Sequence, residues 1–218
     1  MIDYAVSRRN MVESQIRTNK VTDSGLLAVM AELPRECFVP EPLRGVAYVD
    51  EDIPLGGGRY LMEPMVLARL LQAAAVQPED VVLDIGCATG YSAAVLARLA
   101  NTVVALESHS ELAARATATL ADLGIDNAVV VEGPLKEGYA KQAPYDVIFI
   151  GGAVPRIPRV IADQLGEGGR LVAVVAAEAA IGRGTLVTRV GGILSDRPVF
   201  DAATPLLPEF APEPGFVF

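Results

Sequence analysis

Short runs of Val, Leu and Ile alternate with Ala-rich stretches of helical periodicity between positions 81 and 175. Each apolar run is nearly continuous, which is typical of parallel strands that helices cover on both faces. The pattern therefore predicts β-α units and an α/β domain with a doubly wound sheet. The predicted strands are residues 81–85, 102–106, 128–131, 145–150 and 170–175, and the predicted helices are residues 91–100, 110–123 and 158–165.

A block of helical periodicity precedes these units, with predicted helices at 11–17, 24–33 and 64–75 and a turn-rich stretch at 40–58. No Ser/Gly linker or charge run follows it, so we predict one domain, residues 1–218, rather than two. Within it, residues 1–78 form a helical cap with the acceptor-side segment, and residues 79–218 form the core. Residues 185–190 and 195–201 predict a hairpin. An extended tail is predicted from its prolines, Pro205, Pro208, Pro212 and Pro214.

The composition fits one globular domain. The 218 residues are 51% hydrophobic and 21% charged, which provides enough apolar surface for a core. The formal net charge of -9 would repel a phosphate backbone, because nucleic-acid affinity depends mostly on Lys and Arg. We therefore expect no nucleic-acid partner.

Neither a metal site nor a membrane segment is expected. Cys37 and Cys87 stand fifty positions apart, and the single histidine, His109, does not complete a zinc site with them. Both thiols are predicted to be reduced. The first residues carry charge where a signal peptide needs an apolar stretch, and no apolar run approaches the roughly 20 residues of a membrane helix. These features predict a cytoplasmic protein.

The most informative segment is VLDIGCATGY at positions 82–91, a strand that ends in a glycine turn and opens into a helix. Gly86 and Gly90 lack a Cβ, so a ligand can lie against the backbone at the carboxyl edge of the sheet. Glu107 follows Gly86 by twenty-one positions and closes the second strand. Because the first two strands of a doubly wound sheet are neighbours, Glu107 is predicted to accept hydrogen bonds from ribose hydroxyls beside the loop.

Two ligand classes share this geometry. A dinucleotide loop has glycine at its first, third and sixth positions, where this chain has Gly86, Ala88 and Tyr91. A tyrosine at the start of the helix is a poor neighbour for a diphosphate, whereas S-adenosylmethionine contains no phosphate. The loop therefore favours S-adenosylmethionine over NAD. A plain strand-to-helix turn without a ligand is the structural alternative, and the acid at Glu107 argues against it.

The residues around the loop have separate expected roles. Asp84 is expected to fix the loop through backbone hydrogen bonds and to reach the cofactor's ammonium group indirectly. Cys87 is expected to be a small side chain that fits the glycine loop, with its backbone near the cofactor. Tyr91 is expected either to cover the adenosine or to pack under the helix. His109 is expected at the surface. The predicted cofactor-binding residues here are Asp84, Gly86, Cys87, Ala88, Gly90, Tyr91, Glu107 and Ser108.

The flanking segments resemble the protein-L-isoaspartate O-methyltransferase family of S-adenosylmethionine-dependent enzymes. The segment PRECFVP at positions 34–40 looks like the family's Pro-Arg-x-x-Phe-Val-Pro. The glycine loop is common to many methyltransferases, whereas this segment is much more specific to the family. Further matching segments are Ala47-Tyr48, PLG at 54–56 with Gly58, Pro64, APYDVI at 143–148, Ile157-Pro158, Gln164-Leu165 and GGRLV at 168–172.

The resemblance implies a Rossmann-like methyltransferase fold with a seven-stranded, mostly parallel sheet. The implied reaction is methylation of the abnormal α-carboxylate of an isoaspartyl residue, which gives an ester that collapses to a succinimide and so repairs damaged proteins. A carboxylate with a pKa of about 3.9 is already ionised at neutral pH, so its attack on the sulfonium methyl needs no general base. Catalysis should then depend on in-line positioning and exclusion of water.

The chain departs from the family pattern at residues 59–64, which we name the acceptor segment. The family has Thr-x-Ser-x-Pro after the Pro-x-Gly turn, and its serine is associated with the substrate carboxylate, whereas this chain has Met62 there. A thioether donates no hydrogen bond, and Glu63 would repel a carboxylate if it pointed into the site. Tyr60 or Arg59 is a candidate replacement donor. The catalytic candidates are therefore Tyr60 and Met62.

Two further departures concern the cofactor and the tail. The family's Gly-Asp-Gly after the third strand is Gly133-Pro134-Leu135 here, and Pro134 offers neither a carboxylate nor an N–H. Pro134 and Leu135 are still predicted at the cofactor, with adenine stacked on Leu135 and bound to a backbone group. The tail at residues 200–208 does not match the family, and no role is predicted for it.

The sequence as a whole predicts an S-adenosylmethionine-dependent carboxyl O-methyltransferase whose substrates are isoaspartyl proteins or peptides. The acceptor is expected to enter between the glycine loop and residues 59–64. Two alternatives remain. One is methyl transfer to a different small molecule, which Met62 and Glu63 favour, and the other is a protein that binds the cofactor without isoaspartyl activity. No oligomeric state is predicted.

Overall fold

Two sheets organise the residues that this computed structural model describes, which are 2–176 and 181–211. In chain order their strands are β1 (Ile53–Gly56), β2 (Arg59–Leu61), β3 (Val81–Ile85), β4 (Thr102–Glu107), β5 (Ala128–Glu132), β6 (Tyr145–Val154), β7 (Leu165–Val175), β8 (Arg183–Val190) and β9 (Ile193–Asp201). β1 and β2 pair as a short antiparallel ribbon, and the other strands form one seven-stranded sheet.

The large sheet has the order β5-β4-β3-β6-β7-β8-β9. The neighbouring strands β5, β4, β3, β6 and β7 are parallel to one another. β8 runs antiparallel to both of its neighbours, β7 and β9. This arrangement confirms the predicted doubly wound, mostly parallel sheet and its hairpin. The strand order reverses at β3, which has β4 on one side and β6 on the other. The residues that follow these three strands therefore meet at the carboxyl edge, where such sheets bind ligands.

The first two helices begin at capping carboxylates. Asp3 accepts the N–H of Val6 (3.1 Å), and Asp23 accepts the N–H of Leu26 (2.8 Å). No helix of the described residues is long and apolar enough to span a bilayer. These helices are α1 (Tyr4–Met11), α2 (Ser24–Glu32), α3 (Pro64–Ala74), α4 (Tyr91–Ala97), α5 (Ser110–Asp122) and α6 (Arg159–Ala162). Shorter helical turns span Val12–Ile16, Arg17–Asn19, Arg35–Phe38, Glu41–Val46, Leu135–Glu137, Ala140–Gln142 and Pro208–Phe210.

Alternate residues of the sheet strands belong to two hydrophobic clusters on opposite faces. Val82, Val147 and Val172 belong to the first cluster, which includes the buried residues of α1 to α4. Their neighbours along the strands belong to the second cluster, which also includes Leu207 and Phe210. The N-terminal helices thus cover one face, and residues close to the end of the described chain help to cover the other.

Several element boundaries differ from the predicted ones. The helix predicted at 11–17 begins instead at Tyr4, because Asp3 caps a polar first turn that the apolar pattern does not reveal. The helix predicted at 91–100 ends at Ala97, and the one predicted at 158–165 is the single turn α6. That helix is short because β7 already begins at Leu165. The sequence pattern missed this start because glycines follow Leu165 and carry no apolar side chains.

The stretch predicted as turns at 40–58 contains β1 and a 3-10 helix at Glu41–Val46. The tail has no regular secondary structure from Ala202 to Pro205, and it makes a single 3-10 turn at Pro208–Phe210. Pro212 and Pro214 of the predicted extended tail lie outside the described residues. The division into a cap (1–78) and a core (79–218) stays a prediction.

Gly151, in β6, lies where this strand approaches the end of β3. A Cβ on Gly151 would lie 2.7 Å from the carbonyl oxygen of Gly86 and 3.3 Å from that of Ile85. Both are backbone atoms, so no side-chain rotation relieves the contact. We expect Gly151→Ala to lower the free energy of unfolding by about 1–3 kcal/mol, the usual cost of overpacking, as measured by urea denaturation.

The control for this prediction is Gly45→Ala, whose added Cβ would contact only the flexible end of Ile2, at 3.4 Å. An equal loss of stability in the two variants would contradict the steric explanation.

Candidate active site

The glycine loop joins β3 to α4 through three residues in the left-handed region. The φ angles of Gly86, Ala88 and Gly90 are 77°, 50° and 93°. Positive φ is uncommon for a residue with a Cβ, so Ala88 requires a specific contact to hold it. Its N–H donates to the carboxylate of Glu107 at 2.9 Å. The N–H of Gly86 donates to the Leu106 carbonyl at 2.8 Å, which ties the loop to the end of β4.

Glu107 is fully buried at the end of β4 and organises the backbone around it. Its carboxylate accepts the N–H groups of Ala88 (2.9 Å), Ser108 (2.8 Å) and His109 (3.0 Å). The predicted position of Glu107 beside the loop is therefore confirmed. A carboxylate has about four lone-pair sites, and these three amides already use most of them.

Arg59, in β2, neutralises this buried carboxylate. Its side chain is 2% exposed, and its Nε and Nη2 atoms donate to Glu107 at 3.2 and 3.0 Å. Its Nη1 atom donates to Glu209 at 3.0 Å, and Nη2 also donates to Ser108 Oγ at 2.9 Å. Burial alone would lower the pKa of Arg59, but hydrogen bonds to Glu209 and Glu107 outweigh it and raise the pKa above its usual value. One guanidinium thus holds two carboxylates.

Glu209 belongs to residues 205–210, which we name the C-terminal segment. Burial raises the pKa of Glu209, but its hydrogen bonds to Arg59 and Ser108 have the larger combined effect and lower the pKa below its usual value. Ser108, predicted at the cofactor, donates its hydroxyl to Glu209. The site therefore contains a charge from the far end of the chain that no sequence pattern placed there.

Asp84 lies fully buried near the end of β3, below the loop. It accepts the hydroxyl of Ser92 at 2.7 Å, and its Oδ1 atom has no hydrogen-bond partner. Burial, and to a lesser extent the charge of Glu107, raises the pKa of Asp84 to about 7, against the opposing hydrogen bond from Ser92. The expected bonds from Asp84 to the loop backbone are replaced by the one that Glu107 makes. An unpartnered buried carboxylate oxygen remains available for a cation.

Tyr91 packs under the helix, which is one of its two predicted roles. It is 1% exposed, with its ring edge-on to Phe38 at 5.2 Å between centroids. The guanidinium carbon of Arg35 lies 4.9 Å from the centroid of the Tyr91 ring. Arg35 is itself fully buried and donates to the carbonyls of Ala47 and Met62, both at 2.7 Å. Arg35 thus connects the segment at 34–40 to the acceptor segment.

The acceptor segment lies beside the glycine loop, as predicted. Met62 is 5% exposed and Tyr60 is 37% exposed, and both line a cavity with Cys87, Ala88 and Phe149. The cavity volume is about 20 Å³, which is room for about one water molecule. Cys87 is buried, and its burial raises the pKa of the thiol well above the usual value, which disfavours the reactive thiolate.

Glu63 and Asp52 form an acidic edge to this segment. The N–H of Glu63 donates to Asp52 at 2.9 Å, and the hydroxyl of Thr204 donates to the same carboxylate at 3.1 Å. Partial burial, together with the charges of Asp50 and Asp52, raises the pKa of Glu63 to about 7. Glu63 is absent from the cavity lining.

At the other end of the loop, leucine side chains cover the backbone. Leu135 is fully buried, and Pro134 precedes it in an extended conformation. A Cβ on Gly86 would lie 3.3 Å from Leu207 and 3.5 Å from Leu135. Leu207, which is 3% exposed, thus packs on Gly86 beside Leu135, the residue on which adenine was predicted to stack. His109 is exposed, as predicted, and covers Gly57.

The comparisons with known proteins identify the family. A model of the protein-L-isoaspartate(D-aspartate) O-methyltransferase family matches residues 6–183. The chain belongs to this family. It is 43% identical over 169 residues to the protein-L-isoaspartate O-methyltransferase of Koribacter versatilis, with 78% of this chain and 76% of the relative covered. The corresponding protein of Methanoculleus marisnigri is 44% identical over 168 residues, with 77% and 76% covered.

Solved structures agree with this fold. A protein-L-isoaspartate O-methyltransferase structure superposes with a TM-score of 0.80 at 26% identity over 92% of this chain, and this chain spans 65% of its length. A Plasmodium falciparum structure described as a member of the same family, in complex with S-adenosyl-L-homocysteine, has a TM-score of 0.80 at 18% identity, with 93% and 98% covered. The family resemblance and the fold predicted from the sequence are both confirmed.

The family's cofactor, S-adenosylmethionine, fits this chain at one end of the site. The glycine loop and the unpartnered Oδ1 of Asp84 suit a methionine group with its ammonium. At the nucleoside end, Glu107 and Leu135 are suitable residue types for ribose and adenine. In this conformation, however, Arg59 pairs with Glu107, and Leu207 packs beside Leu135 against Gly86. The cofactor roles of the predicted residues stay predictions.

No group of three or more His, Cys, Asp or Glu side chains within residues 2–176 and 181–211 is arranged to hold a metal ion. Arg59, Glu209 and Leu207 are the site residues whose contacts the sequence did not reveal. The only available signal was chemical, because a buried strand-end carboxylate needs a cation. Arg59 was predicted instead as a candidate hydrogen-bond donor to the acceptor, but its guanidinium binds Glu107 and Glu209.

Replacing Glu107 by alanine should destabilise the protein whether or not a cofactor is bound. The change leaves the buried Arg59 guanidinium short of its main partner and leaves three backbone N–H groups unpaired. We expect Glu107→Ala to lower the free energy of unfolding by about 3–5 kcal/mol in urea denaturation. The exposed Glu79→Ala is the control and should stay within about 0.5 kcal/mol of the parent protein. Equal stabilities of the two variants would contradict the assigned role.

Glu63 should make stability fall as the pH rises towards neutrality. Because the folded-state pKa is about 7, above the ordinary value of 4.5, the folded protein holds the proton where the unfolded chain has lost it. Ionisation of Glu63 at high pH therefore lowers the free energy of unfolding. We expect Glu63→Gln to raise the urea midpoint relative to the parent protein at pH 8, and the difference to shrink at pH 5. Glu41→Gln, an exposed control, should show the same difference at both pH values; a pH-independent effect of Glu63→Gln would refute the assignment.

Proposed function

We propose that this chain transfers the methyl group of S-adenosylmethionine to the α-carboxylate of isoaspartyl residues in proteins or peptides. The observation that carries the proposal is the position of Glu107, whose carboxylate accepts the Ala88 N–H of the glycine loop, within the segment that matches the family model. A carboxylate at a strand end beside such a loop is suited to a ribose at the edge of an α/β sheet.

Bound S-adenosylmethionine would supply an electrophilic methyl group on a sulfonium ion. The chain supplies a rigid loop to hold that group. Gly86 allows the close approach of a ligand to the backbone, whereas a Cβ on Gly90 would lie 3.2 Å from Ala116 of α5, so Gly90 serves helix packing. The hydroxyl of Thr89 donates to the Phe38 carbonyl at 2.6 Å. This bond fixes the loop to the family-specific segment at 34–40. Asp84 keeps a carboxylate oxygen for the ammonium group.

The acceptor carboxylate is ionised at neutral pH, so the acceptor side needs to bind, orient and exclude water but not to remove a proton. Arg35 orients this side by holding the carbonyl of Met62 at 2.7 Å. We assign the acceptor's hydrogen bond to the hydroxyl of Tyr60, which lies on the cavity wall at the surface. Met62 contributes apolar surface that excludes water.

A second candidate function is methyl transfer to a different, less polar small molecule. It is favoured by the cavity lining, in which Met62 stands at the family's serine position among Leu55, Leu61 and Phe149. An apolar wall of this kind binds a carboxylate poorly.

The partner and location proposals follow from composition. We propose that the acidic chain binds no nucleic acid, since its net charge is -9. We place it in the cytoplasm on the basis of its two cysteines, Cys37 and Cys87, neither of which forms a disulfide.

The test is transfer of a radiolabelled methyl group to an isoaspartyl peptide, with the matching aspartyl peptide as the control. We expect transfer to the first peptide alone. Micromolar binding of the cofactor without transfer to the isoaspartyl peptide would reject the acceptor and favour the second candidate.

Met62→Ser should raise the transfer rate, because it restores a hydroxyl donor where the family has one. A hydrogen bond to a charged group contributes about 1.5–3 kcal/mol, so we expect kcat/KM for the isoaspartyl peptide to rise about tenfold or more. Met62→Ala is the matched control, since it removes the same side chain without adding a hydroxyl. Equal rates in the two variants would show that the hydroxyl has no part in acceptor binding.

A further inference from the structure

The C-terminal segment (residues 205–210) lies along the carboxyl edge of the large sheet. The Ala153 N–H donates to the Pro205 carbonyl at 3.0 Å, and the Leu207 N–H donates to the Ala153 carbonyl at 2.9 Å. Leu206 thereby forms a parallel bridge with Ala153 at the end of β6. This pairing fixes the segment across the place where β3 and β6 end.

The side chains of the segment pack onto glycines of the site. A Cβ on Gly152 would lie 2.8 Å from Leu207, and one on Gly58 would lie 2.5 Å from Pro208. Leu207 also covers Gly86, the first glycine of the loop. The same missing Cβ atoms that admit a ligand to the backbone therefore admit the chain's own Leu207 and Pro208.

The charges of the segment are matched to the site as well. Glu209 accepts from both terminal nitrogens of Arg59 and from the hydroxyl of Ser108. Arg59 in turn donates to Glu107. With three backbone N–H groups also on Glu107, no lone-pair site faces a pair of ribose hydroxyls while Arg59 is in place.

We propose that the C-terminal segment is a built-in competitor of the nucleoside part of S-adenosylmethionine, and that Glu209 holds Arg59 in the position that blocks Glu107. The inference rests on the proposed function for the identity of the ligand. Leu207 occupies the apolar surface that adenine would use, and Arg59 occupies the carboxylate that ribose would use. Cofactor binding then requires the segment to leave the edge of the sheet and Arg59 to turn away from Glu107.

The competition has a direct thermodynamic consequence. A ligand that binds only the open form has an apparent dissociation constant equal to its intrinsic constant divided by the fraction of molecules that are open. Weakening the closed form without touching the nucleoside's own contacts must therefore tighten binding. Glu209 is suited to this test because its side chain is 32% exposed and it lies at the edge of the segment, away from the core.

The experiment measures the binding of S-adenosyl-L-homocysteine by calorimetry to the parent protein, to Glu209→Gln and to the exposed control Glu79→Gln. Loss of a hydrogen-bonded charge on the closed form should lower the dissociation constant of Glu209→Gln about tenfold. The control should bind like the parent protein.

Hydrogen exchange provides a second readout that requires no methyl transfer. In the parent protein, saturating S-adenosyl-L-homocysteine should speed exchange at the amides of Ala153 and Leu207, whose hydrogen bonds hold the segment. A ligand that binds beside an undisturbed segment would leave both amides as protected as before, and this result would overturn the proposal.

The outcomes separate this inference from the proposed function. Equal dissociation constants for the parent protein and Glu209→Gln would overturn the competitor but leave the cofactor assignment intact. Tighter binding to Glu209→Gln without any transfer to an isoaspartyl peptide would support the competitor and reject the acceptor. If neither protein binds S-adenosyl-L-homocysteine, the segment does not compete with it and the proposed function also fails.

Discussion

Glu107 and Arg59 form an ion pair in the interior, with side chains 0% and 2% exposed, and a buried charge is tolerated only when it is paired and hydrogen-bonded. The carboxylate meets this requirement through three backbone amides and one guanidinium. Those contacts set the left-handed turn at Ala88, the path of the chain after β4 and the position of β2. The shape of the site therefore depends on keeping this one charge satisfied.

The local part of this arrangement was predictable from the sequence. The apolar runs give β3 and β4, the rule that the first two strands are neighbours gives their pairing, and together these place Glu107 beside Gly86. Each step uses residues close together in the chain or a general property of doubly wound sheets. The same reasoning recovered the parallel core of the sheet and the β8–β9 hairpin.

The rest of the site depends on contacts that no local pattern encodes. Arg59 is 48 positions from Glu107, and Glu209 is 150 positions from Arg59. Periodicity says which face of a strand is buried, but not which distant charge will neutralise a buried carboxylate.

The missed start of α1 has a related cause, since a capping aspartate and a polar first turn specify that helix without an apolar stripe. The beginning of β7 was missed because its pairing with β6 is interrupted between Leu165 and Arg170, where the glycines lack the side chains that would mark a strand.

The three departures from the family pattern make sense as one change, because they meet in space. Pro134 and Leu135 replace the family's aspartate and second glycine, and Leu135 and Leu207 of the unmatched tail both pack against Gly86. Arg59 precedes the altered acceptor residues and pairs with Glu209 of that tail. The Gly133 N–H donates to the Glu107 carbonyl at 3.1 Å, so Pro134 stands one residue from the end of β4, where the family has a further carboxylate. The apolar replacement suits a site whose nucleoside end must accommodate either a ligand or the chain's own leucine, since both present a flat or rounded apolar surface to the glycine loop.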